Sequence, residues 1–443
     1  MQAPLSRRFG AFTGMALVVG TVIGSGIFRV SSPIAADAGN LAGITVVWVL
    51  GGVIVLCGAL SMAELAVMYP AAGGPYVYLR EAYGRPLAFL YGWMILLTTP
   101  AAGAADGLMF AEYLQTFLPM SVITQHIVAA LLILLVGLAN YRSVKLGAAV
   151  QNASATAKVL AIVALALVIF ILAPGGTLNP LAMEPIGTPQ WSGIALGLLV
   201  VLWAYGGWDS ITAVAGEVRQ PHRNLPLALI GGVLVVMSVY LLVNAAYVRA
   251  LPLSRVALST AVAADAARAI LGRAGASLVS ALVMLSIFGS LTSSTLSTPR
   301  VFYAMAEDGL FFHSVGRVHP RYATPYIAIA LITVITLAYV LARNFTQLAE
   351  AYVLGVWPFQ ALCIVGLFVL RRRHPHRPRP YRAIGYPIIP ALFVLAALAV
   401  ISNAAFTQHW STLSSLMVVL AGIPAYLLWT AFQRRRSRNV TQP

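Results

Sequence analysis

The sequence predicts an all-α membrane protein with twelve transmembrane helices, and three observations carry that reading. Sixty per cent of the 443 residues are apolar and 9% are charged, a composition that belongs to a bilayer rather than to water. Apolar runs of about 18 residues or more, the length that crosses a bilayer, recur along the whole chain. Two of these runs, one near the start of each half, are broken by glycine at mid-span.

The spans fall near residues 11–36, 42–68, 87–116, 121–139, 147–173, 191–216, 227–248, 277–303, 325–342, 348–370, 385–403 and 411–432, in one transmembrane domain covering 1–443. The third is long enough to tilt. The polar stretches 174–190, 249–276 and 304–324 read as loops or short interfacial helices, too small for a soluble domain. The first span is no signal peptide. It exceeds a signal's apolar region, its Gly24-Ser25-Gly26 break is foreign to one, and Ala36-Asp37-Ala38 is discounted as a cleavage site.

That first span, residues 11–36, carries Gly24-Ser25-Gly26 in its middle, and the sixth, residues 191–216, carries Ala204-Tyr205-Gly206-Gly207-Trp208. A mid-helix glycine costs about 1 kcal/mol relative to alanine. In lipid, unwound backbone survives only where protein surrounds it or a cavity receives it, because its N–H and C=O groups have no other partner. Glycine-broken segments at corresponding places in two halves therefore mark a binding site. The competing explanation is that Gly20-Thr21-Val22-Ile23-Gly24 is a packing face that lets helices approach.

Ionisable residues inside the spans come next. Asp106 and Glu112 lie in the outer part of the third span. Lys158, one of only two lysines, stands two to three turns inside the fifth span, at a depth that costs about 2.5–3.5 kcal/mol for an ammonium and marks a functional site by default; snorkelling to the surface is the alternative. Asp209 directly follows the second break, where it either caps the downstream half-helix or contacts substrate or a proton. Glu64 and Glu217 stand near span ends, placed for loop arginines or a gate. The eighth span concentrates hydroxyls, with Ser290 and Ser294 one turn apart on one face, suited to interhelical bonding or a polar cavity wall.

The net charge of +16 could suggest nucleic acid, but its distribution excludes that partner. With a cytoplasmic N-terminus, 21 of the 28 basic residues fall in inside loops, Arg300 and the run 371–382 among them. The positive-inside rule thus puts both termini in the cytoplasm. Arg371-Arg372-Arg373-His374 reads as an orientation signal rather than a lipid or metal patch. Cys57 and Cys363 both lie in apolar spans, as buried thiols, so no covalent link to an outside partner chain is expected. Metalloprotease, phosphate-loop, nucleophile-elbow and EF-hand patterns and zinc-ligand spacings are missing. The chain is expected to be no enzyme and to need no metal or cofactor.

With these residues in hand, the chain resembles a permease of the amino acid–polyamine–organocation (APC) superfamily, nearest to the L-type amino-acid transporters and their prokaryotic relatives. The resemblance covers nearly the whole chain. It rests on Val19-Gly-Thr-Val-Ile-Gly-Ser-Gly-Ile-Phe28, Ala63-Glu64-Leu65 with Pro70-Ala-Ala-Gly-Gly-Pro-Tyr-Val-Tyr78, and Ala204-Tyr-Gly-Gly-Trp208 leading to Glu217 and Pro221-His-Arg-Asn-Leu-Pro226. Ser297-Thr-Pro-Arg300 through Ala306-Glu-Asp-Gly-Leu310 adds to it. The resemblance implies a LeuT-like fold: inverted five-helix repeats at about 11–173 and 191–370, with helices at about 385–432 appended. It also implies that the substrate α-carboxylate meets backbone N–H groups of Ser25, Gly26 and Ile27. The α-amino group would meet carbonyls of Val22, Trp203, Ala204 and Gly206. Half-helix ends bind the two poles of a zwitterion in this way.

Two departures bear on the substrate. Trp203 stands at a lid position that is commonly phenylalanine, and Asp209 where L-type members often have asparagine. The loop Phe117-Leu-Pro-Met-Ser121 lacks the cysteine by which animal members link a heavy chain, so no such partner is expected. The resemblance thus implies a multi-pass transporter in a bacterial inner (plasma) membrane, moving neutral L-amino acids by alternating access; cationic amino acids or polyamines are the alternative. In sodium-coupled relatives of the fold, the ion sits between the first break and eighth-helix hydroxyls. Lys158, reaching carbonyls near Gly20 and Ser290 or Ser294, would put a fixed charge there and make transport sodium-independent.

Overall fold

The structure, a computed structural model, describes residues 7–142, 144–173, 191–342, 345–407 and 409–440. The expected loop at 174–190 lies outside them. The first apolar stretch becomes α1 (Ala11–Val22), a break, α2 (Gly26–Arg29) and α3 (Ser31–Ala38). Val30 is itself helical, and its N–H bonds Gly26 O at 2.9 Å. The second half-helix therefore runs from Gly26 to Ala38. It stops at Gly39, whose left-handed φ of 68° ends the helix where a side chain would resist.

The asparagine after that turn caps α4 (Leu41–Met68), accepting from Gly43 N at 2.7 Å. The glycine-proline corner Gly74-Pro75 starts the short α5 (Pro75–Tyr83), and Arg85-Pro86 starts α6 (Arg85–Leu114). Then come α7 (Val122–Arg142) and α8 (Val144–Leu172). The second broken segment forms α9 (Trp191–Ala204) and the single turn α10 (Ser210–Ala213), followed by a 3₁₀ turn at Ala215–Glu217.

Proline also opens α11 (Pro221–Ala250). The polar stretch before the eighth span holds α12 (Leu253–Leu258) and the first turns of α13 (Val262–Ser297), which kinks at Gly272 with a φ of 64°. Remaining are α14 (Pro299–Glu307), α15 (Tyr326–Ala342), α16 (Phe345–Arg373), α17 (Ile388–Thr407) and α18 (His409–Val440). Among the described residues, nine helices are long and apolar enough to cross a membrane, and three shorter apolar ones occupy Gly193–Ala204, Tyr326–Leu341 and Ile388–Asn403.

The broken helix α1 lies at the centre, packed against α8, α10, α11 and α13. Glycine makes this packing possible. A Cβ on Gly20 would collide with the Gln151 side chain of α8, whose Nε2 donates to Ala16 O at 2.9 Å. The two explanations offered for this glycine-rich stretch thus divide between neighbours: Gly20 permits close approach, and residues 23–25 form the break.

Ion pairs tie the ends of the helices together. Glu64, fully buried on α4, receives Arg371 Nε at 2.9 Å, Arg371 Nη2 at 2.5 Å and Ala383 N–H at 2.6 Å. The basic end of α16 therefore clamps a buried carboxylate. Asp308 holds Arg80 and accepts the Tyr76 hydroxyl at 2.6 Å, joining α5 to the end of α14. Burial and that carboxylate push the Tyr76 phenol up.

Candidate functional site

The two breaks face one another. After Val22, Ile23 takes a non-helical φ/ψ of −77°/80° and the Gly24 N–H bonds back to Val22 O at 2.9 Å, ending α1. The first N–H groups of the half-helix after the break have no partner within it; these belong to residues at and just after Ser25. In the second break, Gly207 adopts a φ of +86°, a conformation that side chains rarely take, and a Cβ there would lie 2.5 Å from the Thr21 methyl group. At closest approach a Cβ on Gly26 would stand 3.2 Å from both the Ala204 Cα and the Trp203 ring. A hydrogen bond of 3.2 Å between Thr21 Oγ1 and Ser210 Oγ spans the gap.

Between the breaks is a cavity of about 150 Å³. The first break contributes Val22, Gly24, Ser25 and Gly26 to its wall, and the second contributes Trp203, Ala204, Gly206, Gly207 and Asp209. Asp106, Ser290 and Ser294 complete the part of the lining singled out from sequence. Ile27 is fully buried, and Lys158 lies behind the wall rather than in it. A space of this order takes a ligand about the size of benzene.

Lys158, 0% exposed, points its Nζ into the end of α1. It donates to Gly20 O at 3.0 Å, Ile23 O at 2.6 Å and Ser286 O at 2.9 Å. Three acceptors are the full complement of an ammonium. Its contact on α13 is the Ser286 carbonyl and not Ser290 or Ser294, a correction with a simple geometric reason. Ser290 Oγ lies a turn further on, 3.4 Å from Thr21 O, while Ser294 Oγ turns back to Leu291 O of its own helix at 3.1 Å. Ser286 Oγ itself contacts Ile23 O at 2.8 Å and Gly24 O at 3.1 Å.

Tyr240 was not singled out from sequence. Its hydroxyl lies 2.9 Å from both Val22 O and Ala204 O, two of the carbonyls expected to meet an amino group. One proton serves one of them at a time, and a carbonyl has a second lone pair to offer. Trp203 O accepts Gly206 N–H at 2.9 Å. A tyrosine in mid-span, with Asn244 one turn on bonding its carbonyl at 2.8 Å, is the signal that could have found it.

Asp209 occupies the cap position of α10 without a side-chain capping bond. Asp209 lines the cavity. Asp106 accepts the Ser25 hydroxyl at 2.9 Å. On one side of the cavity, Arg300 and Glu217, each 1% exposed, pair at 2.8 Å, and Glu217 O accepts Phe9 N–H at 2.9 Å. Arg300 is thus a buried partner and not the loop cation that the charge count made it. Near the C-terminal end of α6, Arg29 and Glu112 approach to 3.8 Å with about half of each side chain exposed, 40% and 51%.

Comparison with known proteins follows the same lines. The family model described as amino acid permease matches residues 9–428. The chain is 31% identical to the serine/threonine exchanger SteT of Bacillus subtilis (strain 168) over 95% of this chain and 96% of that one. It is 30% identical to the human b(0,+)-type amino acid transporter 1, over 99% and 91% of the two chains. Identity to the human cystine/glutamate transporter is 28%, over 97% and 87%.

Proposed function

The chain belongs to the amino acid permease family, and from that premise we propose that it is a secondary active transporter of neutral L-amino acids, working by alternating access without sodium. One observation carries the reading: two helix breaks meet across a cavity whose ends differ in polarity. The outer half-helix beginning at Gly26 offers N–H groups to a carboxylate, and the ends of α1 and α9 offer carbonyls to an ammonium. A zwitterion joined by one carbon fits that arrangement. Lys158 occupies the end of α1 as a fixed cation.

The fuller architecture belongs to the same proposal. Twelve spans form two inverted five-helix repeats at about 11–173 and 191–370 with two helices appended, set in a bacterial inner membrane with both termini cytoplasmic. Cys57 and Cys363 are both buried, which supports a carrier that needs no disulfide-linked heavy chain. In this orientation the Glu217–Arg300 pair closes the cytoplasmic side and must part for inward release. The SteT relative's name gives serine and threonine as its exchanged amino acids, which supports small neutral substrates here.

A second reading, cationic amino acids or polyamines, is favoured by Asp106 and Asp209 lining one cavity. Radiolabelled counterflow in proteoliposomes separates the two. Stereoselective exchange of serine, alanine or leucine supports the first, and selective competition by lysine, arginine or putrescine supports the second. Leak without saturation contradicts both.

A further inference from the structure

A second concave space, about 630 Å³ and so larger than the central cavity, opens between α6, α14, α15 and α18. Every residue that lines it is apolar or aromatic. Its floor is the buried Met305 of α14, seated over Gly92 of α6, where a Cβ would collide with the methionine side chain. Its open side is framed by Leu428 and Phe432 of α18, 72% and 51% exposed. Two indoles stand in its wall, and both give their N–H groups to backbone. Trp93 donates to Val418 O at 2.9 Å, and Trp429 to Gly309 O at 3.0 Å. No side-chain N–H of the lining is left for a polar ligand.

One end of this groove is cationic. Arg85 is exposed at the start of α6, one turn before Phe89 of the lining and on the same face. Its Nη2 donates to Asp308 O at 2.8 Å. Arg85 and Trp429 thus grip adjacent carbonyls, at residues 308 and 309, which sets the guanidinium at the rim. On α18, the exposed Arg434 stands two residues past Phe432 and opens the run Arg434-Arg435-Arg436. The carboxylates near this end are the exposed Glu307 and Asp308, the second already engaged by Arg80 and Tyr76.

We propose that the groove holds one acyl chain of an anionic phospholipid, whose phosphate lies at Arg85 and the start of the basic run on α18. A hydrocarbon chain suits walls without a hydrogen-bonding group, and a phosphate suits arginines at their end. An amino acid would leave both its charges unpaired there. A second copy of the chain, paired about a two-fold axis, would set these arginines against their own copies. In the orientation proposed above, this end lies at the cytoplasmic leaflet, where anionic lipids attract basic residues beside a span. Met305 shares α14 with Arg300, so the acyl chain packs on the helix that carries one half of the buried pair with Glu217. The lipid site stands independently of what the central cavity carries.

Native mass spectrometry of the purified full-length chain, titrated with palmitoyl-oleoyl phosphatidylglycerol or with the phosphatidylcholine of the same chains, tests the proposal. Wild type should retain one phosphatidylglycerol at about tenfold lower concentration than phosphatidylcholine, the effect of one or two arginines at a membrane surface. Its melting temperature should rise with phosphatidylglycerol. Arg85→Gln should bring retention of phosphatidylglycerol down toward that of phosphatidylcholine. Ala425→Phe, which fills the groove from α18, should lower retention of both lipids and remove the rise in melting temperature. If Ala425→Phe fails to fold, Leu331→Trp fills the groove from α15 and should do the same. Equal retention of the two lipids by wild type overturns the proposal, as does retention that Arg85→Gln or the folded groove-filling variant leaves unchanged. A lipid-free dimer that the groove-filling variant breaks puts a second copy in the groove and overturns it as well. Each of these results leaves the amino-acid reading of the central cavity standing.

Discussion

The ammonium of Lys158 lies 2.6 Å from the carbonyl oxygen of Ile23, in the first broken segment. Two further carbonyls, Gly20 on α1 and Ser286 on α13, complete its shell. A side chain of α8 thereby joins the end of α1 to α13. Charge-assisted bonds of this kind contribute about 1.5–3 kcal/mol each, which offsets the burial of a lysine in an apolar span.

Lys158→Ala should lose most transport, more than about tenfold, while the protein stays folded and monodisperse. A sodium ion about 4 Å from this ammonium would be repelled by roughly 4 kcal/mol at an effective dielectric of 20, near a thousandfold in affinity. Wild-type uptake should therefore be the same in choline and in sodium at constant pH. A steep rise in sodium contradicts this account of Lys158.

Tyr240→Phe removes the hydroxyl shared by Val22 and Ala204 and nothing of the ring's packing against Trp48, 5.2 Å away between centroids. Substrate affinity should change by about three- to tenfold, the value of one ordinary hydrogen bond, with little loss of stability. An unchanged affinity and rate would mean that this hydroxyl holds the helices without touching the site's energetics.

The Glu217–Arg300 pair is buried on both sides, so its halves are worth more together than apart. Glu217→Gln or Arg300→Met alone leaves one uncompensated buried charge and should cost about 3–5 kcal/mol, read as a fall in melting temperature. The double variant should recover much of that loss. Equal loss in singles and double would show that the pair is not coupled.

Trp203 packs against the first break, its ring 3.2 Å from a Cβ placed on Gly26. Trp203→Ala should lower the transport rate severalfold and weaken substrate occlusion, because a large aromatic over the site excludes water. Near-normal rate and affinity would place the lid elsewhere.

Much of this was legible from residue types alone. The helices follow the apolar runs, and the breaks stand at Gly24-Ser25-Gly26 and Gly206-Gly207, because glycine in the middle of a membrane-spanning run has no cheap explanation. Lys158 was conspicuous for the same reason, as a charge with no local partner. The partners themselves were not legible. Which carbonyl Lys158 reaches depends on the rotation of α13 about its axis, and Ser286, Ser290 and Ser294 differ there by single turns. Tyr240 escaped notice because a phenol in an apolar helix looks like packing until two broken helices converge on its hydroxyl. Arg300, three residues beyond the end of α13, read as a loop cation because burial is a property of the assembled fold and not of its neighbours in sequence.

The central claim is that the unwound backbone at Gly26 is where the substrate carboxylate docks. Equilibrium binding of radiolabelled amino acid to folded, monodisperse Gly26→Val tests it most directly, since a β-branched side chain there meets Ala204 and Trp203 and crowds the N–H groups. The account predicts loss of binding by more than about a hundredfold, some 2.7 kcal/mol, in protein whose helical content matches wild type. Binding with unchanged affinity in that folded variant would contradict it.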